Sequence, residues 1–221
     1  MGVVDLHTHS LFSDGVLIPS ELARRAEVCG YSALAVTDHI DASSIDAVVP
    51  RIAAFAEAWN ADPDTKVQVV AGAEITHVPP RAIEGLVNRA RELGARIVVV
   101  HGETITEPVA PGTNRAAIIA QCDILAHPGL ITDEDVRLAA MHGIALEVSY
   151  RAGHCLTNGH VVAACRAAGA RWVIGSDAHA PKDLLDDEIV VRVGRGAGMT
   201  EDELEEALRA AEALVEGCTG D

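Results

Sequence analysis

Residues 3–15 read VVDLHTHSLFSDG. An apolar, β-branched run passes into Asp5, His7 and His9, and Asp14 follows in the next loop. His7 and His9 stand at i and i+2, which on a strand places both rings on one side, where they can share an ion. The following stretch, PSELARRAEVCG, reads as a helix with Ser20 as its N-cap and a glycine at its end. A strand that finishes on metal-competent side chains and then feeds a helix is the unit from which the remainder of the chain can be read.

Seven short apolar runs repeat that unit: Val3 to His7, Ala33 to His39, Val67 to Ile75, Arg96 to His101, Asp123 to His127, Ile144 to Ser149 and Arg171 to Asp177. Between them lie helical patterns such as AIEGLVNRARELG, TDEDVRLAAMHG and NGHVVAACRAAG. This alternation is that of βα units on a parallel sheet. Eight such units usually take roughly 250 residues, so a chain of 221 favours a seven-stranded barrel. The expected fold is therefore α/β, a single-domain distorted (β/α)7 barrel over residues 1–221. Its last segment, TEDELEEALRAAEALVEG at about 200–217, forms an amphipathic helix expected to pack on the outside. Residues 58–66 and 104–114 read as long loops, which in compact barrels are commonly functional.

Seventeen basic residues against 33 acidic ones leave a formal charge of −16, which repels nucleic-acid duplexes and anionic membranes. No run approaches the 18 apolar residues of a membrane span, and nothing at the N-terminus resembles a secretory signal. Five cysteines (Cys29, Cys122, Cys155, Cys165, Cys218) show no CxxC spacing and sit mostly in segments that read as core. They suit a reducing cytoplasm.

Most of the strands end on a residue able to bind a metal: His7 and His9, His39, Glu74, His101, His127, and Asp177 with His179. One histidine at a strand end is more often a hydrogen-bonded structural residue than a ligand. In a parallel barrel, however, all strand C-termini meet on one face, so these side chains converge. Packing so many ionisable groups into one cleft without a cation is electrostatically costly. The imidazole and carboxylate mixture suits zinc, manganese or iron better than calcium or magnesium. Asp5 and Asp38 are candidates for orienting ligand rings from behind, or for ordinary strand-end hydrogen bonding. His77 and His142 read as surface or loop residues and His160 as helical.

In order along the chain, DLHTHS, TDH, the Glu of AGAEI, HG, AHPG and SDAH resemble the motif set of the polymerase and histidinol phosphatase (PHP) family, from residue 5 to residue 179. The stretch HGETITEPVAPGTN resembles the histidinol-phosphatase-like subgroup. The resemblance implies two or three divalent ions (Mn2+, Zn2+ or Fe2+). His7, His9, Glu74 and Asp177 would hold one, Glu74 would bridge to a second on His101 and His127, and Asp14, His39 and His179 would hold a third. It also implies a hydrolase in which water activated between cations attacks a small phosphate monoester directly, with Asp14, His179 and Glu74 as the catalytic groups. Strand ends without ligands would hold the small phosphorylated substrate through Arg151 and His154, with Asn114, Arg115 and Lys182 as further candidates. Three alternatives stand beside this: a phosphodiesterase or nucleotide phosphoesterase of the same family, an amidohydrolase with its own His-x-His strand, and a non-catalytic PHP module.

Overall fold

The computed structural model describes residues 2–219. β1 (Val3–Thr8), β2 (Tyr31–Val36), β4 (Gln68–Ile75), β5 (Ile97–His101), β6 (Ile124–Ala126), β7 (Ala145–Ser149) and β8 (Trp172–Gly175) form one parallel sheet in that order. The two-residue β3 (His39–Ile40) also pairs with β4 and continues the line of β2 after a break at Thr37 and Asp38, so seven strand positions are occupied. The helices α1 (Pro19–Val28), α2 (Ile45–Asn60), α3 (Ile83–Glu92), α4 (Thr113–Ile119), α5 (Asp133–His142), α6 (Asn158–Ala168), α7 (Asp187–Gly196) and α8 (Glu201–Thr219) follow the strands. None among the described residues is long and apolar enough to cross a membrane.

Local chemistry sets several boundaries. Pro19, with its fixed φ and no N–H, takes the first helical position of α1, so Ser20 lies inside that helix and Ile18 precedes it. Thr132 and Asp186 do cap their helices, accepting hydrogen bonds from the backbone of Asp135 and Ile189. α2 runs through Asn60 and α4 begins at Thr113, so both long loops are shorter at one end than their composition suggests. Of the five cysteines only Cys122 and Cys165 are buried.

The strands alternate between two apolar layers. Leu34, Val69, Val98, Leu125, Leu146 and Trp172 face the helices, whereas Val4, Leu6, Ala33, Ala35, Val70, Val99, Ala126 and Val173 fill the barrel interior. Ala211 and Val215 of α8 belong to the interior cluster, and the Cys218 thiol lies 3.5 Å from the Arg96 carbonyl at the start of β5. The C-terminal helix therefore plugs the barrel's N-terminal end with its second half. Only its first half, through Leu204 and Ala207, packs on the outer layer where the whole helix was expected. Covering the interior apolar residues from below outweighs lying on a surface that α7 already shields.

Between β1 and β8 the ladder is reduced to one bridge, Thr8 to Ala178. Side chains close the rest. Asp5 Oδ1 accepts from the backbone N–H of His7 and of Ser176, at 3.3 and 3.1 Å, while its Oδ2 accepts from Tyr31 Oη at 3.1 Å. The Ser176 hydroxyl donates to the His7 carbonyl, and Tyr31 Oη accepts from the Leu185 N–H. Asp5 thus fastens the barrel seam and touches no imidazole. Burial pushes its carboxyl up to about 6, against the hydrogen bonds from Ser176 and His7. A carboxyl with a raised folded-state pKa stabilises the fold below its ordinary pKa of 3.8 and loses that contribution as pH rises through 6. Urea titrations should show stability falling by about 2 kcal/mol between pH 4 and pH 6 relative to Asp5→Asn, which lacks the titrating proton.

Candidate metal centre

The C-terminal strand ends deliver the predicted side chains to one place. Glu74, wholly buried, is the hub. Its Oε1 lies 3.3 Å from His7 Nε2 and 3.7 Å from His127 Nε2, and its Oε2 lies 3.6 Å from His9 Nε2 and 2.6 Å from His39 Nδ1. Asp177 Oδ1 stands 3.1 Å from His9 Nε2, and its Oδ2 stands 3.8 Å from His127 Nε2. Nearer the surface, Asp14 Oδ1 is 3.0 Å from His179 Nε2 and 3.5 Å from His39 Nε2. Among the described residues, the groups of ligand atoms that gather within 4.8 Å include His7, His9 and Glu74; His7, His127 and Asp177; and His9, Asp14, His39 and His179. His9 stands in both the first and the third.

These residues fit divalent ions by a direct test. Buried polar atoms are nearly always hydrogen-bonded. Here both Glu74 oxygens, His7 Nε2, both His9 nitrogens and His127 Nδ1 are buried with no hydrogen bond. Such a concentration of unpaired carboxylate oxygens and imidazole nitrogens, with one lone-pair nitrogen per neutral ring, is what a cation would satisfy. Burial, helped by neighbouring imidazoles, also pulls His9 and His127 well below the usual histidine range, which keeps them in the neutral form a metal needs.

Backbone irregularities aim these groups. Val4 and Leu6 face the interior, yet so does His7, because the β1 register shifts between Asp5 and Thr8. His127 and Asp177 adopt φ of 28° and 52°, positive values that are uncommon for non-glycine residues. For His127 this breaks the alternation that would have sent its ring outward after the inward-facing Ala126.

Glu147, in the middle of β7, escaped the strand-end pattern. Its Oε1 lies 2.7 Å from His7 Nδ1, and its Oε2 accepts from the His127 backbone N–H at 3.1 Å. It is this carboxylate, not Asp5, that fixes the His7 ring with Nε2 free for an ion. Gly175 on the neighbouring strand makes room for it: a Cβ there would sit 2.0 Å from Glu147 Oε1. A charged residue inside the apolar run IALEVS was the available signal. Asp38 likewise contacts no ring. It binds the Ser10 N–H and the Ser10 and Ser13 hydroxyls, and so shapes the loop carrying Asp14.

The candidate substrate residues divide. Arg151 reaches the mouth, with Nη1 2.9 Å from His179 Nδ1 and Nε 3.5 Å from Asp177 Oδ2. Lys182 lines an adjoining groove beside Arg151 and His179. Asn114 is buried and spent on the backbone, accepting from the Glu103 N–H and donating to the Pro128 carbonyl, so it is not available to a substrate. Arg115 pairs with Glu134 and Asp135 on the helical surface, away from the cleft. His154 is buried beside His127 and lines the wall of the cleft. Glu107, unanticipated, hangs over the cleft from the loop after β5, 3.1 Å from His101 Nε2 and 2.9 Å from His77 Nε2.

A sequence profile of the PHP domain matches residues 5–179. The chain belongs to the PHP domain family. An uncharacterized protein of Methanocaldococcus jannaschii, MJ1295, is 45% identical over 205 residues, spanning 92% of this chain and 94% of that one. A 5'-3' exoribonuclease of Haemophilus influenzae is 39% identical over 72 residues, which make up 33% of this chain and 23% of the exoribonuclease. Among solved structures, a chain in a cryo-EM structure of archaeal ribonuclease P with mature tRNA superposes with a TM-score of 0.72 at 16% identity, over 96% of this PHP chain and 90% of that one. An amidohydrolase from a Sargasso Sea sample gives 0.58 at 16% identity, over 98% and 66%. Likeness at such identities concerns the barrel alone.

Two measurements probe the centre. Burial pushes Asp177 up to about 7, with Glu74 and Glu147 adding to it and His7 opposing. Below that pH an incoming ion must expel its proton, so Mn2+ affinity followed by electron paramagnetic resonance should climb from pH 5.5 to 7 and then flatten for this group. Glu147→Gln removes the charge that orients His7, and chelator competition should show ion affinity lowered by about 10- to 100-fold.

Proposed function

We propose that this PHP protein is a metal-dependent phosphoesterase acting on a small phosphate monoester of the histidinol phosphate kind. The observation that carries this reading is the convergence of orphaned imidazoles and carboxylates at the foot of an open cleft of about 390 Å3. That size suits a small metabolite. Arg151 is the only arginine or lysine among the residues lining it, set beside Asp14, Asp41, Glu107 and Asp177. One guanidinium can grip a single phosphate bidentately, whereas a nucleic-acid strand requires a basic track.

His7, His9, Glu74, His101, His127 and Asp177 are the side chains that would hold ions at the foot of the cleft, with Asp14, His39 and His179 nearer its mouth. Bound ions would supply Lewis acidity at the phosphoryl oxygens and acidify a water molecule. Arg151, braced by the Asp177 carbonyl at 3.2 Å, would orient the phosphate. Asp14 is only partly buried, and contacts with His179 and His39 outweigh that burial, holding its carboxyl below the usual range. It therefore stays ionised at neutral pH, the form in which it would hold an ion together with His39 and His179. All five cysteines are free, which fits a cytoplasmic setting.

A second reading, hydrolysis of a nucleotide phosphodiester, is favoured by the local similarity to 5'-3' exoribonucleases. Manganese-loaded protein should hydrolyse p-nitrophenyl phosphate faster than bis-p-nitrophenyl phosphate and lose both activities to a chelator. The reverse preference would select the diester reading, and no hydrolysis of either would reject the phosphoesterase. Arg151→Ala should raise KM for monoesters about tenfold with little change in kcat, as loss of binding common to ground and transition states does. His101→Ala should abolish turnover while the circular dichroism spectrum stays that of the parent.

A further inference from the structure

We propose that His154 and Glu107 are metal ligands, adding two protein ligands to the ion position at His101 and His127. The inference rests on the metal-dependent reading above and extends it to two residues outside the motif set that identified the family.

His154 is prepared for the role. It is buried, and its Nδ1 lies 2.8 Å from Thr104 Oγ1, an arrangement that spends one ring nitrogen and leaves Nε2 aimed inward. Nε2 lies 3.5 Å from Glu107 Oε1 and 3.8 Å from Asp177 Oδ2, and the ring stacks on that of His127 with centroids 4.1 Å apart. His101 follows the same rule: its Nδ1 donates to the Gly102 carbonyl at 3.2 Å, so its Nε2 carries a lone pair, 3.1 Å from Glu107 Oε2. Ligating nitrogens of His101, His127 and His154 all fall within 4.8 Å of one another. Two atoms bound tetrahedrally at 2.0–2.2 Å from zinc are about 3.4 Å apart, so the 3.1 and 3.5 Å separations are those of neighbouring ligands.

A competing trio, His77, His101 and Glu107, also gathers at ligand distance. His101 has one free nitrogen, however, and cannot serve both. His77 is exposed and faces the same carboxylate oxygen at 2.9 Å, so it positions Glu107. Three buried imidazoles present the stronger donor set. Among these ligands Glu107 is the exposed one and rides on a loop, so it is the one a substrate oxygen can replace.

The test uses full-length protein loaded with Co2+, whose visible absorption reports coordination, with ion content measured by elemental analysis and affinity by chelator competition. His154→Gln and Glu107→Gln should each weaken one ion by about 10- to 100-fold and dim or shift the visible bands, while the other ions remain. Thr104→Val, which leaves His154 in place but removes the nearer of its two Nδ1 partners, the other being Thr106 Oγ1 at 3.4 Å, should weaken the same ion by several-fold and guards against misfolding of the other variants. If wild-type protein binds several ions and all three variants match it in content, affinity and spectrum, the proposal is overturned and the phosphoesterase reading stands. If wild-type protein binds no ion at all, both fall.

Discussion

A carboxylate removed from water must meet a countercharge or a set of donors, and within the chain Glu74 faces only imidazole nitrogens, the nearest His39 Nδ1 at 2.6 Å. Around this one constraint the upper half of the barrel is arranged. His7, His9, His39 and His127 each bring a nitrogen within 4 Å of its oxygens, and Asp177 and Glu147 add further negative charge to the same volume. Such a collection is unfavourable as a purely organic core, since the Coulomb repulsion among carboxylates in low dielectric is large. It becomes favourable with divalent cations, and that is why the chemistry and the fold of this end are inseparable.

The supporting residues share a pattern. Glu147 holds the His7 ring and the His127 backbone at once, Asp38 holds the loop of Asp14, and Asp5 holds the seam between the first and last strands. Three buried acids thus do three mechanical tasks, and none of them is grouped among the candidate ion-binding residues. Gly175 belongs with them, because its missing side chain is the space Glu147 occupies.

The order of strands and helices, the sevenfold count and eight of the nine candidate ligands were legible in the sequence, because period and strand-end position are one-dimensional properties; the ninth, Asp14, came from the family resemblance. What escaped was geometry that a period cannot encode. The register shift in β1 turns His7 inward although parity with Val4 and Leu6 would send it out, and a left-handed backbone does the same for His127. Glu147 was hidden because it sits two residues before the strand's end. Asn114 and Arg115 looked available because a loop composition does not reveal which side chains the backbone has already claimed. Similarly, an amphipathic C-terminal helix announces an apolar face without announcing that the open bottom of a barrel will receive it.

The seam gives the barrel a particular mechanical character. Where other neighbouring strands pair through two or more residues, β1 and β8 are joined by one bridge and a few side chains, yet they and the residues just beyond them carry His7, His9, Asp177 and His179. An ion seated among those residues would stitch the first strand to the last. The cofactor would then act as a clasp as well as a reagent, and the cylinder would breathe along a single line whenever it is undone.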